Sequence, residues 1–284
     1  MPLSSAFVGA STDPVGHEVD ARWLMAYAAG LGDTAPCYLD STRPIAMHPV
    51  FPVCLEWDSI LALRFGPFAA GMSAAEQARA VHADHDIHLL APVIPGTRLS
   101  TTATAIAVEQ RKPGAYLLKR IDTLDERGRI CCRTYQGTLY RGVTVDGPDR
   151  AIEAAPAWLA AADGTAISSE FAVPSNAAHV YTECARIWNP IHTDRAHALA
   201  AGLPGIILHG TATLALAASR LIDGHADGDP RRVRRLGGRF SGMVTMPTML
   251  SLDTKVAAPG ALGFRVVGPD ARDVISRGFL EYTP

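Results

Sequence analysis

The chain has 284 residues, a formal net charge of −2, a hydrophobic fraction of 48% and a charged fraction of 19%. At roughly 150 residues per domain, this length predicts about two globular domains with sizeable cores. Because the net charge is small and the only dense basic run lies at residues 231–239, nucleic-acid binding is not expected as the main role.

The sequence also indicates whether the chain spans a membrane and in which cellular compartment it is expected. No apolar stretch reaches the ~20 residues that a membrane-spanning helix needs, and the first residues lack the charged start and apolar core of a signal peptide. The five cysteines are odd in number and include no Cys-x-x-Cys pair, which indicates reduced thiols. The sequence therefore predicts a cytoplasmic protein without membrane association.

The first half of the chain predicts helices followed by antiparallel strands. Asp20 is placed to cap a helix that ends near Gly30, and residues 53–65 are a candidate for the central helix of this half or for its edge. Three long alternating segments follow, separated by turn residues, at residues 98–110, 116–125 and 129–141. A helix followed by such a meander predicts a unit in which an antiparallel sheet wraps a helix.

Three histidines at three-residue spacing raise the question of a metal site. His82, His85 and His88 lie in an alternating segment that predicts a strand, so His82 and His88 share one face and His85 takes the other. Asp84 and Asp86 could add oxygen ligands, but no cysteine is near. The sequence predicts no metal site, and a solvated edge or a channel-lining histidine is favoured.

An Ala/Pro-rich stretch at residues 146–165 predicts a linker between an N-terminal domain, residues 1–145, and a C-terminal domain, residues 166–284. The second domain repeats the outline of the first, with helices followed by strands. Its predicted elements are a strand at 168–173, a helix at 177–186, a buried helix at 210–222, and strands at 233–244, 249–257, 262–267 and 274–282.

The stretch between the two helices of the second domain carries the chemistry. Asn189 precedes a proline, so the chain bends there, and His192 follows just past the bend. Thr193 or Asp194 can cap the next short helix. Gly210 then opens an apolar helix, whose first N–H groups have no partner within the helix and can stabilise negative charge on a carbonyl oxygen.

A histidine beside such N–H groups suits proton transfer at neutral pH next to a thioester carbonyl. Residues 189–194, Asn-Pro-Ile-His-Thr-Asp, and residues 202–210, Gly-Leu-Pro-Gly-Ile-Ile-Leu-His-Gly, resemble the signature of MaoC-like hydratases and dehydratases, the R-specific enoyl-CoA hydratase family. The resemblance implies an α+β, double hot-dog fold, in which each unit is a central helix wrapped by an antiparallel sheet. It also implies a hydro-lyase that hydrates a 2-enoyl-CoA or dehydrates a 3-hydroxyacyl-CoA.

The resemblance assigns roles to individual residues. His192 would shuttle the proton, Asn189 would hold the water or hydroxyl, and the Gly210 amide would bind the thioester oxygen. His209 and Tyr181 fall on the substrate-binding side of the same site. The family pattern has an aspartate two positions before the asparagine, where this chain has Ile187, so half of the usual catalytic dyad is missing.

Two charged residues could modify this chemistry. Glu183 precedes Ile187 by four residues and, on a continuing helix, would lie on the same side one turn earlier, so it is the predicted substitute for the missing carboxylate. Tyr181 and Asp194 are alternatives, although Asp194 is better placed to cap the following helix. Arg186 could bind the free carboxylate of a dicarboxylic thioester.

The absent aspartate keeps other functions open. The alternative is a non-catalytic or partner-dependent subunit that binds an acyl-CoA, and thioester hydrolysis on the same fold is a third. The expected partner is an acyl-CoA or acyl-carrier thioester, with no cofactor, metal, nucleic acid or membrane. A homodimer is compatible with the family, although two hot-dog units in one chain already supply the pairing that single-unit members obtain by dimerising.

Overall fold

The computed structural model describes residues 2–66, 71–159 and 165–284. The helices of these residues are α1 Ala21–Gly30, α2 Pro36–Leu39, α3 Pro52–Phe65, α4 Ala74–Gln77, α5 Ala177–Ala185, α6 Arg195–Ala200 and α7 Gly210–His225. Their strands are β1 Leu3–Ser4, β2 Val15–Val19, β3 Ala80–Leu89, β4 Thr97–Arg111, β5 Gly114–Asp125, β6 Ile130–Arg141, β7 Val145–Asp146, β8 Arg150–Ala151, β9 Ile167–Val173, β10 Val233–Phe240, β11 Thr248–Ala258, β12 Ala261–Val267 and β13 Asp273–Tyr282. Among the described residues, no helix is both long and apolar enough to cross a membrane.

The chain divides into two compact units that are interleaved in sequence. The first comprises Met1–Glu18, Leu55–Ala91 and Arg98–Ala157, and the second comprises Val19–Cys54, Pro92–Thr97 and Trp158–Pro284. This division differs from the predicted continuous domains at 1–145 and 166–284, because residues 19–54 belong to the second unit. Part of the predicted linker, residues 160–164, lies outside the described residues.

Helix α1 explains why residues 19–54 join the second unit. Asp20 caps it as predicted, accepting the Trp23 backbone N–H at 2.7 Å. The Trp23 indole N–H donates to the Cys184 carbonyl on α5 at 3.1 Å. At the other end, a Cβ on Gly30 would lie 2.8 Å from the Cβ of Cys184, so only glycine permits this approach.

The first unit is an antiparallel sheet with α3 packed on it. The strand order is β2-β4-β5-β6-β3, and β8 pairs with β4. The three predicted long strands are confirmed as β4, β5 and β6. Leu63 of α3 packs among small and branched residues of the sheet, including Ala103, Ala105, Leu117 and Ile121. The helix predicted at residues 53–65 is therefore the central helix of this unit.

Strand β3 carries the three spaced histidines, and it is not regular. Its pairing with β6 shifts register between His82 and Asp84, the mark of a β-bulge, which breaks the alternation of side chains. As a result, His82 Nε2 lies 3.0 Å from His85 Nδ1. The predicted placement of these two side chains on opposite faces was wrong, because alternation assumed an unbroken strand. In the described parts of the chain, no group of three His, Cys, Asp or Glu residues could hold a metal ion.

The second unit has the same plan. Its antiparallel strands follow the order β10-β13-β12-β11-β9, and α7 packs against β10 and β13. Eleven of the sixteen residues of α7 are buried, from Thr211 to Ile222. A helix buried on most sides agrees with the apolar run in its sequence and serves as the central helix of this unit. Its N-terminus, at Gly210, is the reference point for the site.

Candidate active site

The approach to the site begins where α5 ends. Arg186 takes the left-handed backbone conformation, with φ of 58°, and its N–H bonds to the Thr182 carbonyl. The next N–H, from Ile187, bonds to the same carbonyl at 3.1 Å. The helix therefore stops one residue before Arg186, and the chain leaves in a new direction. Ile187 is buried, with 6% of its surface exposed.

The end of α5 at Ala185 determines where Glu183 lies relative to Ile187. The carboxylate was predicted to lie on the side of Ile187 because the helix was assumed to continue. Since α5 stops at Ala185, the four-residue spacing no longer places the two side chains together. Glu183 is exposed, whereas His192 is buried. The structure therefore does not bring Glu183 to the candidate proton shuttle.

The turn that carries His192 is fixed by its own backbone. Pro190–His192 form one turn of 3-10 helix, which Asn189 caps by accepting the Ile191 N–H on its side-chain oxygen at 3.5 Å. The His192 N–H bonds to the Asn189 carbonyl at 3.1 Å, and the Asp194 N–H bonds to the Pro190 carbonyl at 2.8 Å. Among the described residues, the NH₂ group of Asn189 has no acceptor, so it is available to a ligand.

The predicted cap of α6 is confirmed. Asp194 accepts the His197 N–H at 3.0 Å, which commits its carboxylate to the helix start. The side chain is exposed, and the alternative that Asp194 replaces the missing aspartate has no support in this geometry.

The imidazole of His192 has a defined tautomer. Its Nδ1 lies 2.7 Å from the Ile207 carbonyl oxygen, which can only accept, so Nδ1 carries the hydrogen and Nε2 carries the lone pair. Ile207 is itself held, because it forms a bridge with Thr245 and the next N–H, from Leu208, bonds to the Val244 carbonyl at 2.8 Å. Burial lowers the pKa of His192 to about 4, with the Ile207 carbonyl opposing the shift. At neutral pH the ring is a neutral base.

A second imidazole covers the first. The ring of His209 stacks on that of His192, with centroids 3.6 Å apart and planes inclined by 25°. His209 Nε2 lies 3.4 Å from the Thr182 hydroxyl. Burial and the neighbouring His192 lower the pKa of His209 well below its ordinary value. The two rings form a neutral, stacked pair.

Tyr181 and Gly210 complete the predicted set. The Tyr181 ring lies 5.0 Å from that of His209, and its hydroxyl donates to Thr211 Oγ1 at 3.1 Å. A Cβ on Gly210 would meet the Phe240 ring at 2.9 Å, so the start of α7 can lie this close to β10 only with glycine there. Gly210 stands directly after His209, which caps the helix. Five predicted residues, Asn189, His192, His209, Gly210 and Tyr181, are thus assembled around the start of α7.

Arg186 is not part of this set. Its guanidinium stacks over the Trp23 ring, 4.0 Å from the centroid, and the residue is exposed. Such a stack is a cation–π contact that fixes the side chain on the surface of α1. The structure thus gives Arg186 a structural contact in place of the predicted carboxylate-binding role.

The sequence did not predict three of the polar neighbours. Tyr27 lies 3.2 Å, oxygen to oxygen, from Tyr181, and Thr182 and Thr211 contact His209 and Tyr181 as described. Tyr27 comes from a helix 154 residues earlier in the chain. Thr211 did carry a signal, since it is the first polar residue of a largely apolar helix.

Two stretches of the chain match models of known families. Residues 168–267 match the MaoC like domain, and residues 6–132 match the FAS1-like, dehydratase domain region. The first match contains every residue of the site except Tyr27.

Curated relatives include a peroxisomal multifunctional enzyme type 2 from Drosophila melanogaster, which is 23% identical over 93% of this chain and 46% of its own length. A protein named Enoyl-CoA hydratase 2, peroxisomal, from Arabidopsis thaliana is 35% identical over 28% of this chain and 24% of its own length. The chain therefore spans less than half the length of either relative.

Solved structures show the fold. A MaoC-like dehydratase from Phytophthora capsici superposes with a TM-score of 0.83 at 20% identity, covering 98% of this chain and 97% of the other. A conserved hypothetical protein from Mycobacterium tuberculosis, described as having a double hotdog fold, gives a TM-score of 0.62 at 16% identity over 96% and 95% of the two chains. The predicted α+β double hot-dog fold is confirmed.

Proposed function

We propose that this chain adds water to a 2-enoyl thioester or removes water from the corresponding 3-hydroxyacyl thioester. The match of residues 168–267 to the MaoC like domain supports the proposal. The observation that carries the proposal is the Nδ1 hydrogen bond of His192 to Ile207 at 2.7 Å, which presents Nε2 as a buried neutral base. The names of the relatives, which include an enoyl-CoA hydratase, agree with it.

In the hydration direction, His192 Nε2 takes a proton from water while the water oxygen bonds to C3 of the enoyl group. The C2–C3 π electrons move toward the carbonyl, and the thioester oxygen becomes an enolate oxyanion. The Gly210 N–H, at the positive end of α7, donates to that oxygen. The imidazolium then returns its proton to C2, and dehydration is the reverse. Asn189 donates its NH₂ to the water or the C3 hydroxyl.

The family's catalytic carboxylate has no counterpart at position 187 of this chain. Ile187 cannot accept a proton, and within the described ranges no carboxylate pairs with His192. The His209 ring contacts the face of the His192 ring. We therefore assign His209, and no longer Glu183, to the place beside His192, where it holds the plane of the ring. The reaction consists of addition or loss of water with proton transfer through His192, so the proposal includes no cofactor or metal.

Loss of enoyl-thioester absorbance on purified protein tests the proposal. Wild type should turn over crotonyl-CoA, and His192→Ala should lose most of the rate, on the order of 100-fold or more. His197→Ala is the matched control, because His197 is an exposed histidine five residues along on α6. Equal rates in wild type and His192→Ala would contradict the proposal.

The buried Ile187 favours the second candidate, a subunit that binds an acyl-CoA without turning it over. Calorimetry that detects binding of a saturated acyl-CoA, together with an assay that shows no hydration of the enoyl analogue, would establish that function. Free thiol released without hydrated product would instead indicate thioester hydrolysis. The choice between CoA and a carrier protein, the homodimer and the cytoplasmic location stay predictions.

A further inference from the structure

Three hydroxyl groups form a chain inside the second unit that the proposed mechanism does not use. Tyr27 lies 3.2 Å from Tyr181, oxygen to oxygen, and Tyr181 lies 3.1 Å from Thr211 Oγ1. All three residues are buried, with exposed fractions of 1%, 2% and 8%. This row of hydroxyl groups ends at Thr211, in the first turn of α7, one residue after Gly210.

The geometry sets the donor-to-acceptor direction along this row of three hydroxyl groups. The Tyr181 hydroxyl is the donor to Thr211 Oγ1, and a tyrosine has a single O–H hydrogen. Between Tyr27 and Tyr181, therefore, Tyr27 must donate and the Tyr181 oxygen must accept. Burial, together with the neighbouring Tyr181, raises the pKa of Tyr27 well above its ordinary value, so the first donor of the chain stays protonated at working pH.

The hydroxyl hydrogen of Thr211, the last residue of the row, is not used by the hydrogen bond from Tyr181. The Thr211 oxygen accepts from Tyr181, so the hydrogen of Thr211 must point to some other acceptor. Among the described residues, the hydrogen bond of Thr211 Oγ1 is the one that it accepts from Tyr181, and its own hydrogen is donated to none of them. A buried donor without an acceptor is uncommon, because burial removes it from water and no other hydrogen bond replaces the one that is lost. A substrate oxygen at the start of α7 would satisfy it.

The neighbouring hydroxyl shows a different pattern. Thr213, two residues along the same helix and also buried, directs its hydroxyl to the His209 carbonyl at 3.3 Å, within the helix. Thr213 is thus satisfied without a ligand, as is common for threonine inside helices. The contrast separates Thr211 from an ordinary buried helix threonine.

We infer that the Thr211 hydroxyl is a second donor to the thioester oxygen, beside the Gly210 N–H, with Tyr181 and Tyr27 as positioning residues that orient and polarise it. The inference rests on the proposed hydration reaction and adds a catalytic residue to it. Hydrogen bonds in a series polarise one another. Because Tyr27 donates to Tyr181 and Tyr181 donates to Thr211, the Thr211 O–H becomes a stronger donor. As negative charge develops on the oxygen, this hydrogen bond strengthens, which lowers the barrier more than it tightens substrate binding.

Steady-state kinetics on crotonyl-CoA with Thr211→Val and Thr211→Ser tests the inference. Valine keeps the shape and removes the hydroxyl, and the expected result is a fall in kcat of about 100-fold, with KM changed less than about 3-fold. Serine keeps the hydroxyl and should restore kcat to within about 5-fold of wild type. Thr213→Val, the matched control, should stay within about 3-fold in kcat.

Tyr181→Phe gives an independent readout that does not alter Thr211. Removal of its hydroxyl should lower kcat by about 5-fold, with little change in KM, since one neutral hydrogen bond contributes about 1 kcal/mol, which corresponds to that factor. Tyr27→Phe should have a smaller effect in the same sense. If Thr211→Val does not fold, Thr211→Ala and Tyr181→Phe carry the test, and a full rate in both would overturn the inference.

The remaining outcomes are decisive as well. A Thr211→Val enzyme with wild-type kcat, an equal loss in Thr211→Val and Thr213→Val, or a change in KM alone would each overturn the role of Thr211. An inactive wild-type protein would refute the proposed hydration reaction instead. An active wild type with an active Thr211→Val variant would refute only the second donor.

Discussion

The rings of His192 and His209 stack with their centroids 3.6 Å apart, and both are buried. Two positive charges at this separation in a buried site repel strongly, so the pair resists a second proton. Burial already lowers the pKa of His192 to about 4. The general base of the proposed reaction is thus neutral across the neutral pH range, with Nε2 unprotonated and Nδ1 oriented by the Ile207 carbonyl.

The first prediction concerns the pH dependence of the reaction. Because the free enzyme must have His192 neutral, kcat/KM for crotonyl-CoA should be flat from about pH 5.5 upward and fall only near the pKa of about 4. The measurement is kcat/KM between pH 4 and 9, with the activity recovered after return to pH 7 as a control for unfolding. An acid limb at the ordinary histidine pKa of about 6.5 would contradict the buried, neutral base.

The second prediction concerns the stacked ring. His209→Ala removes the surface that holds the His192 plane, so kcat should fall about 10-fold, matching an aromatic contact of about 0.5–1.5 kcal/mol. His209→Phe keeps a stacking ring without ring nitrogens and should retain more activity than the alanine variant. If the phenylalanine variant is as slow as alanine, a nitrogen of His209 takes part in the reaction and the positioning role is wrong.

A third prediction uses the position where the family aspartate is missing. Ile187→Asp would place a carboxylate near the turn of His192 and should raise kcat, by about 100-fold at most. It should also lower the free energy of unfolding by roughly 3 kcal/mol, because a buried unpaired charge is costly. Ile187→Asn has the same shape without the charge and is the control. Equal rates in the two variants would show that no carboxylate acts from this position.

The fourth prediction concerns the glycine that opens α7. Gly210→Ala puts a Cβ at 2.9 Å from the Phe240 ring, so the free energy of unfolding should fall by about 1–3 kcal/mol. The control is Gly224→Ala on the same helix, where nothing lies within 4 Å and alanine should be neutral or stabilising by about 1 kcal/mol. Urea midpoints measure both. Similar effects of the two substitutions would rule out the close approach of Phe240.

A fifth prediction addresses the first unit. Glu56 is buried at 1% exposure and accepts the Thr134 hydroxyl at 2.5 Å, and its other oxygen lies 3.5 Å from His85 Nε2. Burial raises the pKa of Glu56 from 4.5 to about 7, so the folded chain holds a proton that the unfolded chain releases. Stability from this group is therefore present below pH 4.5 and is lost as pH rises toward 7.

Glu56→Gln removes that titration. The unfolding free energy of wild type minus that of the variant should decrease between pH 4.5 and 7, on the order of 3 kcal/mol in total. The difference between the two curves isolates Glu56 from His85, whose pKa burial lowers to about 3 and whose effect has the opposite slope. A difference that is constant with pH would show that Glu56 is ionised in the folded protein.

The sequence by itself determined the helix caps, the turn at the site and the resemblance of the site's motif. Asp20 and Asp194 cap their helices because a short acidic side chain before a helical run accepts its free N–H groups, a local interaction. The turn at Asn189 and Pro190 follows in the same way from the fixed dihedral of proline. The resemblance of residues 189–210 to MaoC-like proteins is confirmed by the match of residues 168–267.

Only the tertiary structure decided which side chains meet. The left-handed residue at Arg186 ends α5 before Ile187, so the helical spacing from Glu183 to Ile187 does not hold. The bulge in β3 brings His82 to His85, because an extra residue breaks the alternation of side chains along the strand. The stack of His209 on His192, and the approach of Tyr27 to Tyr181 across 154 positions of sequence, arise from the packing of separate elements. Periodicity describes one element at a time, and such contacts depend on how two elements pack.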